Sequence, residues 1–144
     1  MNHEPYPMYE TQEDYDAEQR VADIVAQRWR CEMQRNRKLS PFDFIAHRGG
    51  VPRAFIEMRT RHNPMYQYPS VMVSLTKIIA AKQHTEATGL PCFFVVEWTD
   101  AIGYVNFDCQ KDLRISGKGW NRRNPPDEVE VIGYISNEQF QMLK

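Results

Sequence analysis

Gly49-Gly50 lies between two short apolar runs, "FDFIAHR" and "AFIEMRTRHN", and no other feature of the chain limits its fold as tightly. Paired glycines between strand-like runs mark a turn, so the runs are expected to form a hairpin. Side chains alternate along a strand, which sets Phe55, Glu57, Arg59 and Arg61 on one face and Ala54, Ile56 and Met58 on the other. On the first run Asp43 shares a face with Ile45 and His47, opposite Phe42, Phe44 and Ala46. The hairpin therefore packs through one face and carries acids and cations on the other.

Around it, periodicity sets the remaining elements. Val21, Ile24, Val25, Trp29 and Met33 recur at helical spacing and predict one amphipathic helix from about Glu10 to Arg35, with Glu18 at the edge of its buried stripe. Acids at its start (Glu10, Glu13, Asp14, Asp16, Glu18) and bases towards its end (Arg28, Arg30, Arg35, Arg37, Lys38) suit the helix dipole. Ser40-Pro41 ends it. After the loop "HNPMYQYP", Ser70 is expected to cap a second helix that stops at Gly89. Val71, Met72, Leu75, Ile78 and Ile79 form its apolar face and Ser70, Ser74, Lys77 and His84 a narrow polar stripe, so it reads as substantially buried. Tyr66 and Tyr68 are expected to pack over it, stacking on a nucleotide being the alternative. "LPCFFVVEWT" reads as a central strand turning at residues 100–103 into "YVNFD", and "VEVIGYI" as a last strand. Ser136 with Gln139 then predicts a capping box and a short terminal helix. The order α-β-β-α-β-β, with a C-terminal strand and short helix, predicts an α/β fold: a mixed central sheet flanked by helices.

With 144 residues and 42% hydrophobic content, residues 1–144 are expected to form a single domain, with residues 1–9 a flexible start and 109–127 a basic excursion. No apolar run approaches membrane-spanning length and the N-terminus is acidic, which predicts a soluble, cytoplasmic protein. Cys31, Cys92 and Cys109 are widely spaced, which argues against a disulfide framework or thiolate zinc site. The histidines show no HExxH spacing, no Gly-x-Ser-x-Gly elbow exists, and Gly117-Lys118-Gly119 lacks the Walker pattern. A net charge of -1 provides no global field for a polyanion. Locally, Lys111, Arg114, Lys118, Arg122 and Arg123 with Trp120 form a candidate nucleic-acid surface, phosphates meeting the cations and a base the indole. A solvated charged loop is the other reading.

Asp43 in "PFDFIA", Glu57-Met58-Arg59 in "FIEMRTR", the preceding helix with Glu18 and the following helix together resemble the PD-(D/E)XK nuclease superfamily, over roughly residues 15 to 107. "YPSVMVSLTKIIAA" and "GLPCFFVVEWTD" look like small bacteriophage members. The resemblance implies a restriction-endonuclease-like core and hydrolysis of DNA phosphodiesters with Mg²⁺ or Mn²⁺. It makes Asp43 and Glu57 side-chain metal ligands, Met58 a main-chain ligand and Glu18 an assisting acid. Arg59 stands where the family has lysine; a guanidinium stays protonated, so its role is limited to holding phosphate and stabilising charge. Lys77, on the second helix, is the candidate to supply the lysine. The competing readings are an ion-pair patch, in which Asp43 pairs with Arg59 and Glu57 with His47, Arg53 or Arg61, and a catalytically silent module that binds nucleic acid or a protein partner. A homodimer is expected if the substrate is itself two-fold.

Overall fold

The computed structural model describes residues 11–36, 40–107, 114–116 and 131–144. Helix α1 (Gln12–Trp29) begins at a capping box: Thr11 Oγ1 accepts from Asp14 N–H at 3.1 Å and Asp14 Oδ2 from Thr11 N–H at 3.2 Å. It ends well before Arg35. Arg30 turns left-handed (φ 53°), and Arg48 from the hairpin donates to the last carbonyls, at 2.8 Å to Trp29 and 3.3 Å to Arg30. The chain then continues as strand β1 (Glu32–Arg35), so Met33 and Arg35 belong to a strand and not to the expected helix. Arg37 and Lys38 lie outside the described residues.

The predicted hairpin forms β2 (Phe44–Arg48) and β3 (Val51–Thr60), joined by Gly49 and Gly50, both at positive φ (58° and 76°) that suits glycine. After a 3₁₀ turn (Met65–Gln67) comes β4 (Ser70–Ser74), which runs without a loop into helix α2 (Leu75–Thr88), capped by Gly89 at φ 73°. Ser70 thus opens a strand and caps no helix. The period-two pattern explains this: Val71 and Val73 are buried while Met72 is exposed. Of α2, Ile78 and Ala81 are buried and Ile79 faces solvent, so the helix is covered on one side only. Tyr66 and Tyr68 are 73% and 57% exposed, against the packing expected of them.

The remaining strands are β5 (Cys92–Glu97), β6 (Ile102–Asn106), β7 (Arg114–Ser116), β8 (Ile132–Ser136) and β9 (Gln141–Met142). Between the last two is a 3₁₀ turn (Asn137–Gln139) in place of the expected short helix; the Ser136 hydroxyl accepts from Glu138 N–H at 3.3 Å. The main sheet runs β1-β2-β3-β5-β6-β9, with β3 and β5 parallel at its centre and its other pairs antiparallel. A smaller antiparallel sheet runs β4-β8-β7.

Two apolar cores flank the main sheet. Val21, Ala22 and Val25 of α1 pack on Phe44, Ala46, Ala54, Ile56, Met58 and Val95. Val71, Val73, Ile78 and Ala81, from β4 and α2, pack on Cys92, Phe94, Val96 and Phe107. The layers are therefore α1, main sheet, and α2 with the small sheet, as the mixed α/β order predicts. Alternation along β3 sends Ala54, Ile56 and Met58 towards α1 and turns Phe55 and Glu57 towards α2.

Candidate active site

The site forms where β2 begins beside the middle of β3. Phe44 pairs with Ile56, and Asp43 N–H still donates to Ile56 O at 3.0 Å, but before Asp43 the chain leaves the sheet. Phe42 enters the α2-side core while Phe44 enters the α1-side core, so the strict alternation expected of this run breaks at Asp43. The vacated edge of β3 is taken over by a side chain: Asp43 Oδ2 accepts from Met58 N–H at 2.8 Å. Backbone groups two residues apart leave a strand by the same edge, so the Met58 carbonyl emerges on the edge that Asp43 occupies.

Glu57 projects from the same stretch towards α2 and is only 6% exposed. Its partner is Lys77, whose Nζ is 3.3 Å from Glu57 Oε1 and also donates to the Pro41 carbonyl. The pairings of the competing ion-pair reading, Glu57 with His47, Arg53 or Arg61 and Asp43 with Arg59, do not form as hydrogen bonds or ion pairs. Burial first, and then the neighbouring Asp43, raise the Glu57 carboxyl, Lys77 and Arg59 offset only part of this, and the net value is about 8. Two carboxylates drawn together with too little positive charge, beside a main-chain carbonyl, form an all-oxygen donor set of the kind a hard divalent cation takes. Among the described residues no group of three or more His, Cys, Asp or Glu side chains assembles.

The other candidates fall in different places. Arg59 is half-buried on the Glu57 face of β3. Glu18 lies on α1, and Arg35 Nη1 bonds its Oε1 at 2.7 Å; the Arg35 guanidinium sits 3.7 Å from the centre of the Tyr15 ring and 4.6 Å from that of Phe44. This cation reaches Glu18 from the neighbour of Asp43 on the adjacent strand, since Arg35 pairs with Phe44. Of the six residues proposed as a nucleic-acid surface in the basic excursion, Arg114 is described, exposed on β7; Lys111, Lys118, Trp120, Arg122 and Arg123 lie outside the described residues.

Sequence reasoning named Arg61 only as an ion-pair partner of Glu57 and His84 only as part of a polar stripe, and gave neither a place in the site. Arg61 continues the β3 ladder by one residue, through its N–H to Glu97 O at 2.7 Å, and its Nη2 donates to Met72 O at 3.1 Å. Burial, and then Arg59, lower its guanidinium to about 10. Its place in the i, i+2 series with Glu57 and Arg59 was the available signal. His84 stands edge-on to both Phe42 and Phe55 and supports the wall beside Asp43.

A mixed sheet with a central parallel pair and helices on its two faces is the arrangement of the restriction-endonuclease-like fold. The structure of Archaeoglobus fulgidus Hjc, a Holliday junction resolvase from an archaeal hyperthermophile, superposes with a TM-score of 0.54 at 12% identity, covering 87% of each chain. Residues 5–143 match the family model described as phage putative PDDEXK endonuclease, and the chain belongs to that family. No curated protein matches the chain.

Proposed function

We propose that this protein is a divalent-metal-dependent endonuclease acting on DNA. The observation that carries the reading is Glu57, a carboxylate buried against Asp43 where its charge is poorly compensated, in a chain that belongs to a phage PDDEXK endonuclease family. Asp43, Glu57 and the Met58 carbonyl would hold the ion. Bound Mg²⁺ or Mn²⁺ would act as a Lewis acid on the phosphodiester and acidify an attacking water.

The chain's own residues then supply the rest. The Met58 amide fixes Asp43, and the apolar wall of Phe42, Phe55 and His84 limits water around the acids. Lys77, which approaches Glu57 from α2, is the candidate to supply the lysine function, while Arg59, permanently charged, would hold phosphate. Glu18, held by Arg35, assists from α1.

Cleavage of end-labelled linear duplex, single-stranded and four-way-junction DNA in Mn²⁺ tests this. The wild type should cut at least one of them, and Asp43→Ala and Glu57→Ala should each lose cutting by at least about 10²-fold while remaining folded by circular dichroism. Arg59 at the lysine position favours a second reading, a silent nuclease fold that binds nucleic acid or a protein. That reading predicts no cleavage and no rise in melting temperature with Mn²⁺.

A further inference from the structure

Glu57, Arg59 and Arg61 alternate onto one face at the open end of β3, and the two arginines are half-buried. Among the described residues no carboxylate bonds either guanidinium: Glu57 is engaged by Lys77, and the Arg61 contact is to a neutral carbonyl. Two like charges thus stand one strand repeat apart, about 7 Å, partly stripped of water and with no hydrogen-bonded carboxylate among the described residues, Arg59 meeting the charge of Glu57 only through space. Desolvation and mutual repulsion both act on Arg61, which is why its guanidinium is lowered. An arrangement that costs free energy in the isolated protein is relieved by anions. The spacing of the two side chains is of the order of the step from one phosphate to the next on a single nucleic-acid strand.

We propose that Arg61 is a phosphate-binding residue that holds the phosphodiester adjacent to the one cut, so that the site grips two consecutive phosphates of one strand. This rests on the nuclease reading and adds a determinant of substrate length and register. The geometry continues outward from Arg61. Its acceptor, Met72, is opposite Tyr134, which is opposite Arg114, so one cross-strand row of the small sheet leads from Arg61 to the first described cation of the basic excursion. Phosphate contacts of this kind fix register without reading sequence.

The test uses the full chain and whichever DNA it binds best. Replacing Arg61 by Gln should weaken binding about tenfold, reduce the slope of log K against log salt by about 0.7–0.9, and leave kcat within about twofold; Arg61→Lys should restore the slope. Because loss of the Met72 contact could loosen the fold, wild-type protein is also assayed on DNA carrying one neutral methylphosphonate on either side of the cut. One of the two positions should reproduce the tenfold loss, and that loss should vanish in Arg61→Gln. Wild-type cleavage with an unaltered salt slope in Arg61→Gln, and no penalty at either neutral position, overturns the Arg61 assignment and leaves the nuclease reading intact. Binding that depends on Arg61 without cleavage of any DNA overturns the nuclease reading and leaves phosphate binding standing. Neither binding nor cleavage overturns both.

Discussion

Glu57 concentrates the chemistry of the molecule in one carboxyl group. Its folded value of about 8 lies above the ordinary 4.5, so between those values the folded protein keeps a proton that the unfolded chain has released. Stability is therefore fully present below about pH 4.5 and is lost as pH rises towards 8, by at most roughly 5 kcal/mol. Urea midpoints in EDTA at pH 5 and pH 8 should show this fall in the wild type and not in Glu57→Gln, and Mn²⁺ should flatten it by favouring the ionised carboxylate. The cations around it divide the work. Lys77→Met should cut cleavage by about 10²- to 10³-fold, the usual effect of losing a group that stabilises developing charge, whereas Arg59→Lys should stay within about tenfold of wild type. Single-turnover rates at saturating metal distinguish these outcomes.

Among the elements, what the sequence revealed depended on how local the cause was. The faces of β3 were legible because a two-residue period needs only neighbouring residues, whereas the alternation expected before β2 breaks at Asp43. The end of α1 was not, because Arg48, eighteen residues beyond Arg30, satisfies its last carbonyls. At Val71 and Val73 the period-two signal was present but is short, and the helical run that follows overlaps it. Asp43 and Glu57 could be picked out along the chain, yet the meeting of Glu57 with Lys77 depends on how α2 docks, which no local pattern encodes. A tie between elements can be measured in the same way. Buried Asn137 donates through Nδ2 to Met65 O at 2.7 Å and Tyr68 O at 2.5 Å, clamping the 3₁₀ turn after β3 to the end of β8. Asn137→Ala leaves those carbonyls without their donor and should lower stability by about 2 kcal/mol in urea unfolding, with faster amide exchange across residues 65–69.

For the whole molecule, the layering explains why acids and cations can be held between two apolar cores: each core closes around its own face of the main sheet, and the site occupies the end where β2 has left β3. No helix among the described residues is long and apolar enough to cross a membrane. The direct passage from β4 into α2 has a further consequence. With no slack between Ser74 and Leu75, the small sheet sets the rotational phase of the helix, as a keyed shaft sets a gear. One alanine inserted at that junction would turn Lys77 by about 100° away from Glu57 while leaving every side chain of the site chemically unchanged. Such an insertion should abolish cleavage as thoroughly as removing the lysine, whereas inserting four residues, close to a full helical turn, should restore part of it. Chain length at residues 74–75 would then be as much a component of the active site as any of its charges.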